Sequence, residues 1–142
     1  MIEIKLSHHQ FHYFEDSSTF ISKVDIKEFL LEEELNVSMI QTFMRLLYND
    51  LRPSSELMFG WLCASLVRDD SCVQNQKEVK AYLKDSLKAC SRLGHKIILF
   101  PYIESNHWTL IAICLPTNEV YHFDSLRKET IQSLLVRSLL NR

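Results

Sequence analysis

The chain has 142 residues, 46% of them apolar and 24% charged, with a net charge of −2. That length supports one domain with a real core, and the mixed charge argues against nucleic acid as the main partner, since no basic face announces itself. No apolar run approaches the ~18–20 residues that cross a bilayer, and residues 1–10 lack the layout of a secretory signal.

Two glycines and three prolines leave no linker, so residues 1–142 read as a single domain. Ile2, Ile4 and Leu6 alternate with polar residues, as in a half-buried strand. Residues 8–18 read as loop, and a short helical pattern covers residues 25–34. A second helix begins near Asn36 and presents Met39, Ile40, Phe43, Leu46, Leu47 and Leu51 at core-facing spacing, with Pro53 ending it. Residues 58–63 form a compact apolar stretch, a buried turn or a short strand.

Residues 73–93 read as one long amphipathic helix with the stripe Val79, Tyr82, Leu83, Leu87 and Cys90, and Gly94 as its C-cap. The character then changes. Residues 97–100 and 108–115 are nearly continuous apolar runs, as in strands covered on both faces. A turn at Pro116-Thr117-Asn118 leads to a third strand over 120–123, and residues 130–140 close with an amphipathic helix. Helices, then a small mostly antiparallel sheet, then a helix make the fold class α+β.

Cys63, Cys72, Cys90 and Cys114 match no zinc or redox spacing and read as reduced thiols of an intracellular protein, nuclear or cytoplasmic. His8 and His12 have the i, i+4 spacing that can share a metal, but no further ligand accompanies them, so the segment reads as a solvated loop and no metal site is assigned.

The sharpest segment runs from His107, at the start of one buried strand, to Asp124, at the end of the next. Folding back near Thr117 leaves Asp124 about three positions, or ~10 Å, from directly opposite His107. A bulge, strand shear or side-chain reach must close that gap. If the two meet, Asp124 accepts the Nδ1–H of His107 and Nε2 takes a proton from a nucleophile. The other reading is a strand-initial histidine bonded to backbone and an aspartate near the N-cap of the last helix.

The string KIILFPYIESNHWTLIAICLPTNEVYHFDSL over residues 96–126 resembles the ubiquitin-like-protein-specific cysteine proteases of the Ulp/SENP family, with their His-Trp, buried strand, turn and aromatic strand ending Asp-Ser-Leu. Leu35-Asn36 and the helix that follows resemble that family's Leu-Asn block, and the likeness extends over residues 24–126. It implies a papain-like fold and hydrolysis after the Gly-Gly tail of a SUMO-like modifier, with no cofactor. His107 would be the general base, Asp124 its orienting partner, and Trp108 would roof the tunnel that holds the tail.

Two departures stand out. Glu34 and Val37 occupy positions where the family often has a tryptophan and an acidic residue. The family's nucleophilic cysteine lies several tens of residues beyond the aspartate, preceded by an oxyanion-hole glutamine, whereas residues 125–142 hold no cysteine and Gln132 as their one glutamine. The expectation is therefore a domain incomplete at its C-terminus and inactive alone as a protease. The alternative is a remnant that binds ubiquitin-like modifiers.

Overall fold

The structure, a computed structural model, describes residues 1–12, 15–55 and 58–126. The chain divides into two compact units, Met1–Glu56 and Leu57–Arg142.

In the first unit β1 (Ile2–Leu6) pairs antiparallel with β2 (Ser17–Ile21), Leu6 facing Ser17 and Ile2 facing Ile21. The stretch expected as loop thus holds the start of a strand and a one-turn helix, α1 (His8–Phe11). Alternation along β2 buries Thr19 and Ile21 beside Leu6 and Phe11. The β-branched and aromatic residues of this serine-rich segment fit a pleated, half-buried surface.

Helix α2 (Lys23–Leu30) starts earlier than expected because Ser22 and Asp25 form a capping box. Ser22 Oγ accepts the Asp25 N–H at 3.2 Å, and the Ser22 N–H donates to Asp25 Oδ2 at 2.6 Å. Glu32, at φ 57°, turns the chain out of the helix. Asn36 then joins two helices. Its Nδ2 donates to Asp25 Oδ1, and its Oδ1 accepts the Met39 N–H at 3.2 Å in the first turn of α3 (Val37–Ser55).

Two expectations for α3 fail. The helix continues past Pro53 to Ser55. Among its described side chains the buried ones are Gln41 and Met44, while Phe43 and Leu46 of the expected stripe are exposed and Leu51 lies outside the described side chains. Apolar residues occupy more than one side of this helix, so their spacing does not say which side turns inward. The choice follows Met44, whose carbonyl accepts a hydrogen bond from the buried Gln10 amide of α1 at 3.2 Å.

The second unit is built on a four-stranded sheet ordered β3-β4-β5-β6: β3 (Phe59–Trp61), β4 (Ile97–Glu104), β5 (His107–Cys114) and β6 (Glu119–Phe123). β3 runs parallel to β4 and the other pairs are antiparallel. Parallel neighbours need a long crossover, which contains α4 (Asp69–Gln74) and α5 (Gln76–Arg92). The expected single helix is therefore two, parted at Asn75, whose φ −123° and ψ 41° are not helical. α5 buries Val79, Tyr82, Leu83, Ser86 and Cys90 and leaves Leu87 half-buried.

Gly94 caps α5 as expected, at φ 82°. Its N–H donates to Ser91 O at 3.1 Å and the His95 N–H to Cys90 O at 3.0 Å, the paired bonds of a Schellman motif. Gly60 of β3 has a different role. A Cβ there would lie 2.7 Å from Cys90 Sγ and 2.9 Å from Ile98 Cδ1, so its bare backbone lets α5 close onto the sheet.

The sheet is not covered equally on its two faces. Ile98, Phe100, Tyr102, Ile111 and Ile113 share the face closed by α5 and are buried. On the other face Ile97, Leu99, Pro101 and Ile103 are half-buried and Leu110 is exposed. Pro101 is tolerated in β4 because β3 pairs only up to Leu99, so its missing N–H breaks no ladder bond. The helix expected over 130–140, with Gln132, lies outside the described residues. No helix among the described residues is long and apolar enough to cross a membrane.

Candidate active site

Two turns fix where His107 and Asp124 stand. The β4–β5 hairpin turns on Ser105 and Asn106, both left-handed at φ 48° and 59°, which matches the twist of the strands they join and pins His107 as the first residue of β5. The β5–β6 connection spans residues 115–118 and sets Leu110 opposite Phe123 and Cys114 opposite Glu119.

That register, extended by one residue, puts Asp124 across from Thr109 and diagonal to His107. The offset is one position less than the sequence suggests, and the parity matters. Side chains alternate faces with period two, so an offset of three would separate the pair, whereas the observed offset brings both to one face. No bulge is needed. Diagonal neighbours sit about 7–8 Å apart, within reach of long side chains.

The imidazole makes that reach. His107 Nε2 and Asp124 Oδ1 are 2.7 Å apart. The expectation that Asp124 would take Nδ1 is corrected: the ring nitrogen farther from the backbone spans the diagonal, leaving Nδ1 for other chemistry. Asp124 Oδ1 also accepts the Leu126 N–H at 2.9 Å, so the carboxylate is held from two sides. The bond from His107, then that from Leu126, holds the Asp124 carboxyl below the usual aspartate range, with smaller help from the charges of His107 and His122. The side chains of His107 and Asp124 are 29% and 10% exposed, so the imidazole keeps an open edge while its anchor is sheltered.

Trp108 does not join this face. As the next residue of β5 it leaves the sheet on the opposite side, half-buried and across from Ile103. Two neighbours of the pair were not anticipated. Glu104 stands directly opposite His107 across the hairpin, and His122 shares Asp124's face two residues earlier. The spacing around the Ser-Asn turn was the available signal for Glu104.

The cysteines are placed away from the pair's chemistry. Cys63, Cys72 and Cys90 are fully buried, and burial pushes the Cys90 thiol up to about 12. Cys114 is half-buried at the far end of β5. The strand between it and His107 is unbroken, a separation of about 23 Å, and the odd offset turns the two side chains to opposite faces.

His8 of the histidine-rich segment pairs through Nδ1 with Asp16 Oδ1 at 2.6 Å. Among the described residues no group of three or more His, Cys, Asp or Glu side chains is disposed to hold a metal ion. A family model described as the Ulp1 protease family, C-terminal catalytic domain, matches residues 33–137. A search of curated proteins found no match.

Proposed function

The chain belongs to the Ulp1 protease family, whose members act on ubiquitin-like proteins, and from that footing we propose that His107 and Asp124 are the base and orienting residue of a thiol-dependent centre that cleaves after the C-terminal tail of a SUMO-like modifier. The observation that carries this reading is the 2.7 Å contact through Nε2, which leaves Nδ1 as the ring nitrogen not engaged by Asp124. In this chemistry Nδ1 takes the proton of a cysteine thiol, and the thiolate attacks the carbonyl carbon of the tail's last glycine. The imidazolium returns the proton to the leaving amine, and water releases the acyl group by the same base. Asp124 holds the ring in place through Nε2. Trp108, the second residue of the same strand and on its other face, offers a flat surface against which an extended glycine backbone packs.

The thiol is not one of the four cysteines of this sequence. Three are buried beyond the reach of a peptide, and Cys114 lies along the strand on the wrong face. The same placement favours a second reading, in which this chain alone binds a modifier tail without cutting it.

One experiment separates these readings. The folded chain is incubated with ubiquitin-like modifiers carrying a C-terminal electrophile and followed by intact mass, while the unmodified modifier is titrated against labelled chain by NMR. The expected result is no adduct, together with saturable shifts at His107 and Trp108 that Trp108→Ala abolishes. An adduct lost on replacing one cysteine by serine overturns the exclusion of these thiols. Absence of any saturable binding sinks the modifier-tail reading.

A further inference from the structure

A second site lies wholly within the first unit. Between β1, α1, the start of β2 and α3 is a groove of about 640 Å³, inside the range of about 300–1,000 Å³ common for ligand sites. Leu6 and Gln10 form its buried floor. The bond from Gln10 Nε2 to the Met44 carbonyl ties α1 to α3, so the walls are fixed in advance.

The walls are cationic. Lys5 comes from β1, His9 from α1 and Arg45 from α3, with Tyr48 and Asn49 one helical turn beyond Arg45. Among the described residues neither Lys5 nor Arg45 has an ion-pair partner. The one carboxylate in the lining, Asp16, is engaged by His8. Its Oδ1 accepts the His8 N–H at 2.8 Å and meets Nδ1 at 2.6 Å, and these bonds hold it below the usual aspartate range. Glu3 shares Lys5's face of β1 outside the lining and accepts from Ser18 Oγ at 2.7 Å. The groove therefore gathers unpaired positive charge in a chain whose net charge is −2.

A planar guanidinium matches a phosphoryl group through two parallel hydrogen bonds, and an ammonium, an imidazole and an amide add donors around it. The groove is also far larger than a bare oxyanion. We propose that it binds a phosphate monoester, with the phosphoryl group on Arg45 and Lys5 and the esterified body over Leu6 and Tyr48. Phosphoamino acids and nucleoside monophosphates share this chemistry.

The test titrates the full chain with a phosphoserine peptide, adenosine monophosphate, inorganic phosphate and a glutamate-substituted peptide, reading backbone NMR shifts. Saturable binding of at least one monoester, with shifts around Lys5, Gln10 and Arg45, is expected. The monoester that binds more tightly identifies the source. Arg45→Gln weakens it about tenfold or more, the scale of a lost charge-assisted hydrogen bond, and Arg45→Lys restores part. Lys5→Gln, on an exposed strand position, gives a second reading should the helix variant unfold. Binding that ignores both Arg45→Gln and Lys5→Gln overturns the proposal. So does equal affinity for the glutamate peptide, inorganic phosphate binding that no ester improves, or no saturable binding at all.

Discussion

Asp124 meets His107 from a diagonal position one residue past the end of the neighbouring strand, two residues out of direct register, and closes on Nε2 at 2.7 Å. This geometry fixes a tautomer. A carboxylate beside Nε2 accepts a proton from it, so the neutral ring carries hydrogen on Nε2 and keeps the Nδ1 lone pair. Nitrogen-15 NMR of the imidazole is expected to show the Nε2–H form with a slowly exchanging proton. Asp124→Ala should remove that protection and mix the tautomers. A dominant Nδ1–H form in the unaltered chain contradicts the geometry.

Much of this site was legible in the sequence, and what was missed has particular causes. His107 and Asp124 stand out because strand ends and chemistry coincide there. Their meeting turned on where the β5–β6 connection folds, since shifting that fold by one residue transfers Asp124 to the other face. Hydrophobic spacing cannot place such a turn to one residue. Nor could it orient α3, where the Gln10–Met44 bond, a contact between residues far apart in sequence, selects the buried side. The division of α4 from α5 at Asn75 breaks a pattern that periodicity alone continues.

Acid sensitivity follows in part from three aspartates whose carboxyls the fold holds below their ordinary value. Asp124 is held by His107 and the Leu126 N–H, Asp25 by Ser22 and Asn36, and Asp16 by His8. Each binds a proton less readily folded than unfolded. Its contribution is present above the unfolded value of about 3.9 and is lost as pH falls through the lower folded value. Urea unfolding midpoints measured from pH 6 downward should therefore drop below about pH 4. The deficit of Asp25→Asn relative to the unaltered chain should narrow over the same range. A deficit that stays constant to pH 2 contradicts the assignment.

Gly60 is expected to tolerate no side chain. A methyl group would sit 2.7 Å from Cys90 Sγ and 2.9 Å from Ile98 Cδ1. Overpacking of this kind costs about 1–3 kcal/mol. Gly60→Ala should lower the unfolding free energy by that amount, and adding Cys90→Ala should recover part of it by removing the nearer atom. The double-mutant cycle measures the coupling. Strict additivity would mean that α5 does not press on β3 at this point.

Alkaline conditions test the same contact from its chemical side. Burial pushes the Cys90 thiol up to about 12, whereas an unfolded cysteine loses its proton near 8.5. Between those values the unfolded chain releases a proton that the folded chain keeps. Cys90 therefore contributes stability fully below about pH 8.5 and loses it as pH rises toward the folded value, by up to about 1.4 kcal/mol per pH unit. Tyr121, raised by its hydrogen bond to the Glu119 carboxylate, adds a decline of the same sign only above about pH 10. The interval from 8.5 to 10 thus separates the thiol from the phenol. Unfolding free energies of the parent and Cys90→Ala measured across that interval should converge as pH rises, because the variant lacks this linkage. Brief alkylation at pH 8.5 should meanwhile label half-buried Cys114 ahead of Cys90. Labelling of Cys90 at the rate of Cys114 in the folded chain, or parallel pH curves for parent and variant, would show the thiol is not sealed between α5 and β3.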